Sequence, residues 1–94
     1  MANEVIIEEY ENFDVRIQAP REWITTQVLD IAEASAPLNA KTKYIRVRSK
    51  GTGFWYTMGA AASATANTNG NSWVPADGYN DHVIGTGIIV DTAA

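Results

Sequence analysis

The chain has 94 residues, no cysteine and a formal net charge of −4, which bounds it to one modest core and excludes a disulfide framework and a thiolate metal site. No apolar run approaches the ~20 residues of a spanning helix, and the N-terminus has neither the basic nor the long apolar region of a secretory signal, so synthesis in the cytoplasm and no membrane partner are expected. The charge is segregated: residues 1–33 hold eight carboxylates against Arg16 and Arg21, whereas Lys41, Lys43, Arg46, Arg48 and Lys50 form a run without an acid.

Taken in chain order, Glu4 to Tyr10 reads as a first strand, with Val5 and Ile7 opposite Ile6; residues 1–11 are expected to be an N-terminal arm or an edge strand. Glu11-Asn12 is a turn candidate, because Asn tolerates left-handed backbone angles. Phe13, Val15 and Ile17 alternate with Asp14, Arg16 and Gln18, a period-2 strand that Pro20 is expected to end. Glu22 to Ile31 fits a helical stripe in part, but Ile24-Thr25-Thr26-Gln27-Val28 is β-branched and uncapped. A strand with a bulge is the preferred reading.

A connector of small residues, 32–37, leads to the best-specified stretch. From Lys43 to Ser49, Ile45, Val47 and Ser49 share one face, and Tyr44, Arg46 and Arg48 the other. Lys50-Gly51-Thr52-Gly53 supplies turn glycines, and Phe54 to Met58 is expected to return as the second strand of a hairpin. Residues 59–72 carry no charge and no large apolar side chain, which predicts a long Ala/Thr/Asn surface loop. Trp73-Val74-Pro75-Ala76 resumes a strand, Asp77-Gly78 is a turn, and Tyr79–Ile84 and Ile88–Val90 form a last pair joined through residues 85–87. Asp91–Ala94 reads as a polar tail. This makes about seven or eight short strands, an all-β fold expected to be a small antiparallel β-sandwich or jelly-roll-like domain spanning 1–94. Phe13, Val15, Ile17, Ile45, Val47, Ile88 and Val90 are expected inside.

Chemistry is sparse. A hydrolytic site needs a nucleophile, a base and a group that orients the base, and the sole histidine, His82, is expected at the surface or hydrogen-bonded. Asp77, Asn80 and Asp81 lack the spacing of a calcium loop, and Gly51 and Gly53 do not precede a helix as a phosphate loop requires. No catalytic, cofactor-binding or metal residue is therefore assigned. The basic run is a weak nucleic-acid signal in an acidic protein. It is read as a strand face that meets the acidic N-terminal part, within one subunit or across a contact, with a plain solvated strand face as the alternative. The rings of Trp23, Phe54, Trp55, Tyr56, Trp73 and Tyr79 suit core filling and subunit contact, or a sugar-stacking face as the alternative.

The order of these pieces resembles small virion proteins of tailed bacteriophages. The resemblance rests on Ser35-Ala-Pro-Leu38-Asn39-Ala40-Lys-Thr42-Lys-Tyr44-Ile45-Arg46-Val47 and the aromatic strand Phe54 to Gly59. It continues through the Ala/Thr-rich loop, Trp73-Val74-Pro75-Ala76, and the closing Tyr79–Val90 segment. It implies a non-enzymatic β-sandwich of capsid decoration type, made in the host cytoplasm and located on the virion. Its partners would be copies of itself and a major capsid protein or another virion protein; the alternative is a carbohydrate-binding or adhesion module on a head fibre or tail. Lys43, Arg46, Arg48, Trp55 and Trp73 are the candidate interface residues.

Overall fold

A computed structural model describes residues 3–60, 71–84 and 87–93. Two antiparallel sheets form a β-sandwich: β1 (Glu4–Asp14), β2 (Ala19–Asp30), β3 (Tyr44–Lys50) and β6 (Tyr79–Val83) in the order β2-β1-β3-β6, and β4 (Phe54–Gly59), β5 (Ser72–Val74) and β7 (Ile89–Ala93) in the order β5-β4-β7. Period-2 alternation decides what lies between them. Val5 and Ile7 of β1 and Ile45 and Val47 of β3 meet Phe54 and Tyr56 of β4, Val74 of β5 and Val90 of β7, with Leu38 of the connector completing the core. Each fully buried large aliphatic or Phe side chain contributes roughly 1.5–3 kcal/mol.

Of the residues expected inside, Ile45, Val47 and Val90 are buried, and Phe13 and Ile88 are half-buried. Val15 and Ile17 are not inside, at 69% and 55% exposed. The alternation that placed them there runs on through a turn. β1 does not stop at Glu11-Asn12 but continues to Asp14, and the chain reverses over residues 15–18, with Gln18 at φ 54°. Pro20 does not end a strand either; it opens β2 opposite Phe13, on the sheet edge where its missing N–H costs no ladder bond. β1 itself is internal, flanked by β2 and β3, and is neither an arm nor an edge. The bulged strand expected over 22–31 is present. Glu9 faces Thr25 while Tyr10 faces Trp23, so Ile24 is the extra residue, and Glu22 beside it takes φ 60°.

The expected β3–β4 hairpin is absent, because the two strands belong to different sheets. Residues 50–53 form the corner between them. Glycine is needed there for packing as well as turning: Gly51 has φ +97°, and a Cβ on Gly53 would lie 2.5 Å from the Val74 carbonyl and 2.6 Å from Trp73. The hairpin is β1–β2 instead. β7 runs to Ala93, so Asp91 to Ala93 are strand and not tail. Of the long loop expected over 59–72, residues 61–70 lie outside the described residues, as do Gly85 and Thr86 of the turn before β7; the other loop positions include Gly59, the end of β4, and Ser72, the start of β5.

One inward position of β1 is not apolar. Glu9 is 1% exposed, and its Oε1 accepts the Asn39 N–H at 2.7 Å and the Thr42 hydroxyl at 2.8 Å, while Oε2 accepts the Gln27 side-chain N–H at 3.0 Å. Burying a carboxylate is costly unless its lone pairs are filled, and here they are filled from β2 and from the connector into β3. Substituting Glu9→Ala strands those donors and is expected to cost about 3 kcal/mol. Urea unfolding measures this directly; an unchanged midpoint would mean that water replaces the carboxylate without loss.

Candidate functional site

The five candidate interface residues do not form one site. Trp55 pairs across β4–β5 with Trp73 on the outer face of the three-stranded sheet, ring centroids 5.0 Å apart and planes at 54°. Trp73 is 46% exposed. Arg46 and Arg48 lie on the outer face of the four-stranded sheet, on the opposite side of the sandwich. Lys43 is exposed just before β3, where its backbone N–H donates to the Tyr10 carbonyl.

The outer face of the four-stranded sheet is ordered in rows, because cross-strand partners share a face. From β2 to β6 the rows are Asp30, Glu4 and Lys50; then Val28, Ile6, Arg48 and Tyr79; then Thr26, Glu8, Arg46 and Asp81; then Trp23, Tyr10, Tyr44 and Val83. β1 therefore lays down a column of carboxylates beside the column of cations on β3. Two ion pairs result, Arg48–Glu8 at 3.1 Å and Lys50–Glu4 at 3.6 Å, and on the other side of β3 Arg46 pairs with Asp81 of β6 at 2.8 Å. The acidic N-terminal part and the basic strand thus meet within one chain. The flanking columns, besides Asp30, Thr26 and Asp81, carry large apolar side chains open to solvent, with Trp23 at 62%, Val28 at 56%, Tyr79 at 56% and Val83 at 82% exposed.

Arg46 is the most constrained of the cations. Its guanidinium forks onto both Asp81 oxygens, at 2.8 and 3.1 Å, and its Cζ sits 4.2 Å from the centre of the Tyr79 ring. Burial alone would raise the Asp81 carboxyl, but the Arg46 fork and the Tyr44 hydroxyl hold it below the usual range. Tyr44, stacked on Phe13 at 4.7 Å, is pushed up to about 12 by burial and by its bond to Asp81.

Behind this face lies a polar cluster that joins the two sheets. The Tyr56 hydroxyl of β4 accepts an N–H from the Asn80 side chain at 3.0 Å and lies 2.5 Å from Nε2 of His82. His82 is half-buried and hydrogen-bonded, as one of the two alternatives for a lone histidine has it. Its bond to a core tyrosine on the other sheet was not legible, since nothing in Tyr79-Asn80-Asp81-His82 marks which face meets β4. Among the described residues no group of three or more His, Cys, Asp or Glu could hold a metal ion. The cleft at the β1–β2 turn, lined by Asn12, Phe13, Asp14, Val15, Arg16, Arg21 and Glu22, carries an Asp14 carboxylate clamped by Arg16 and Arg21 and no nucleophile–base pair.

No family model, curated protein or solved structure matches this chain. No helix among the described residues is long and apolar enough to cross a membrane.

Burial lowers the His82 pKa from 6.5, with Asp81 opposing. The folded state therefore disfavours the proton, and the contribution is complete above the unfolded value of 6.5 and declines as pH falls below it. Thermal melts are expected to show the wild type losing stability through that window more steeply than His82→Gln. Parallel pH profiles for the two proteins would contradict this.

Proposed function

We propose that this chain is a non-enzymatic structural protein of a tailed-phage virion, of the capsid decoration or stabilising type, working through repeated contacts with its own copies and with a major capsid or other virion protein. The observation that carries the reading is the two-sidedness of the sandwich: exposed large side chains lie on both outer faces, Trp73 on one and Trp23, Val28, Tyr79 and Val83 on the other. Large rings are enriched at the centres of protein contacts because they bury much area for little lost rotamer freedom. A small body with two such faces suits a part that bridges neighbours, and many identical weak contacts on a symmetric shell reinforce one another through high effective concentration. The resemblance in the 35–90 segment supplies the phage assignment.

Arg46 and Arg48 have a different role in this reading from the one their sequence suggests. Their charges are matched by Asp81 and Glu8 of the same chain, so they are not left as free cations for an acidic capsid surface. Trp55 and Trp73 then make the contact with the capsid.

Quantitative mass spectrometry of purified particles is expected to find the protein in many copies, and particles assembled without it should release DNA at a lower temperature. Trp73→Ala removes an exposed ring, and should lower occupancy by about tenfold, the effect of one modest interface residue. Absence of the protein from particles would sink the assignment.

The tilted Trp55–Trp73 pair also favours a second reading, a carbohydrate-binding or adhesion module, since aromatic rings stack on the apolar faces of sugars. Glycan arrays would then show binding that Trp55→Ala and Trp73→Ala abolish. Silence at millimolar sugar would exclude it.

A further inference from the structure

We propose that the outer face of the four-stranded sheet is the contact between two copies of this chain, related by a two-fold axis that runs parallel to the strands between β1 and β3. The proposal deepens the reading of a protein that works by subunit contact and rests on it for self-association alone.

The face has a symmetry that single-chain stability does not require. Four strands lie side by side, and the central boundary divides an acidic column from a basic one. Rotating a second copy about an axis along that boundary exchanges β1 with β3 and β2 with β6, and leaves every residue in its own row. Glu8 of one copy then faces Arg46 of the other, and Glu4 faces Lys50. The exchange brings the flanking columns into register too, placing Val28 over Tyr79 and Trp23 over Val83. Those four are the exposed large hydrophobics of this sheet outside the β1–β2 turn. Apart from Ile6 over Arg48 and Thr26 over Asp81, the facing positions then match in charge or in apolar character, as an isologous contact requires.

Charge also selects this axis against the other way of stacking the two faces. A two-fold axis lying across the strands would set β1 on β1 and β3 on β3, with Arg46 of one copy over Arg48 of the other and no β1 carboxylate facing a cation. Like charges placed together cost several kcal/mol. The axis along the strands sets Glu4 and Lys50 of the two copies, and likewise Glu8 and Arg46, in two four-membered clusters of alternating charge.

Size sets the strength. Four strands about 4.8 Å apart and about seven residues long at ~3.3 Å each give a flat footprint on the order of 450 Å² per copy. That lies at the low end for specific contacts, so the dimer is reversible and depends on protein concentration.

The absence of cysteine makes the geometry directly testable. Val28→Cys and Tyr79→Cys proteins, each alone and then mixed, are treated with a short bismaleimide. The expected result is a covalent dimer from the mixture and little from either protein alone, because position 28 of one copy lies over position 79 of the other. Cross-linking of Val28→Cys to itself in preference to the mixture would overturn the axis. Sedimentation of the wild type is expected to show a monomer–dimer equilibrium, weakened about tenfold by Val83→Asp, at a side chain 82% exposed, with far-ultraviolet circular dichroism confirming the fold. A wild type that remains monomeric at millimolar concentration would overturn the dimer itself. A monomer that still occupies particles would fail this inference and leave the virion reading intact, whereas a dimer that particles never carry would do the reverse.

Discussion

The buried carboxylate of Glu9 is the constraint on which the rest of the sandwich depends. The connector from β2 to β3 has to run past the open side of the three-stranded sheet, and its amides need acceptors once covered. Glu9 takes the Asn39 amide and the Thr42 hydroxyl, and Gln27 clamps Ala36 by accepting its N–H and donating back to its carbonyl. So fixed, the connector lies along β7, with the Ser35 N–H donating to Val90 and the Leu38 N–H to Ile88. It closes the edge of that sheet and lowers Leu38 into the core. One polar residue in an apolar row thus holds together two strands, a connector and a sheet edge.

The outer face of the same strand follows from the same alternation. With Val5, Ile7 and Glu9 turned inward, Glu4, Ile6, Glu8 and Tyr10 must face out, directly beside the cations of β3. The pairing of an acidic strand with a basic one fixes register as well as charge, since slipping β1 by one residue would bring Ile7 to solvent and turn Glu8 away from the β3 cations. Charged pairs at such a surface contribute little individually. Their value here lies in specifying which strand neighbours which.

Much of this was legible in the sequence, and the misses have physical causes. Ile45 and Val47 announce an inward face because β-branched residues alternate there with tyrosine and arginine. A bulged strand over 22–31 was readable from a β-branched run whose helical and strand patterns conflict, though not its position at Ile24. The charge segregation correctly implied that the acidic and basic parts meet. Val15 and Ile17 misled because period 2 says nothing about where a chain reverses, and Val15-Arg16-Ile17-Gln18 contains no glycine or proline to mark the turn. Lys50-Gly51-Thr52-Gly53 misled because glycines serve a sheet-crossing corner as well as a hairpin, and only the approach of Trp73 to Gly53 distinguishes the two. Glu9 was invisible for a simpler reason: a carboxylate in an alternating strand reads as solvent-facing unless its distant donors, here Asn39 and Thr42, are known. The split of the candidate interface residues between two faces was equally hidden, since it depends on β3 and β4 entering different sheets.

If two copies associate, β2 favours a face over an edge. It is a strand of 12 residues at a sheet margin, and long exposed edges template pairing with other chains. This one is interrupted along its length. Pro20 removes a donor, Glu22 at φ 60° and the extra residue Ile24 break the ladder, and Arg21 and Asp30 put charge at either end of the span. A second strand could not extend along it without leaving backbone groups unpaired at the bulge. The exposed apolar groups Trp23 and Val28 project instead from the broad face, beside a strip of matched ions. Contact through that face needs no backbone bonds, keeps the edge unmade, and is limited by geometry to one partner. Contact through the edge would be open-ended.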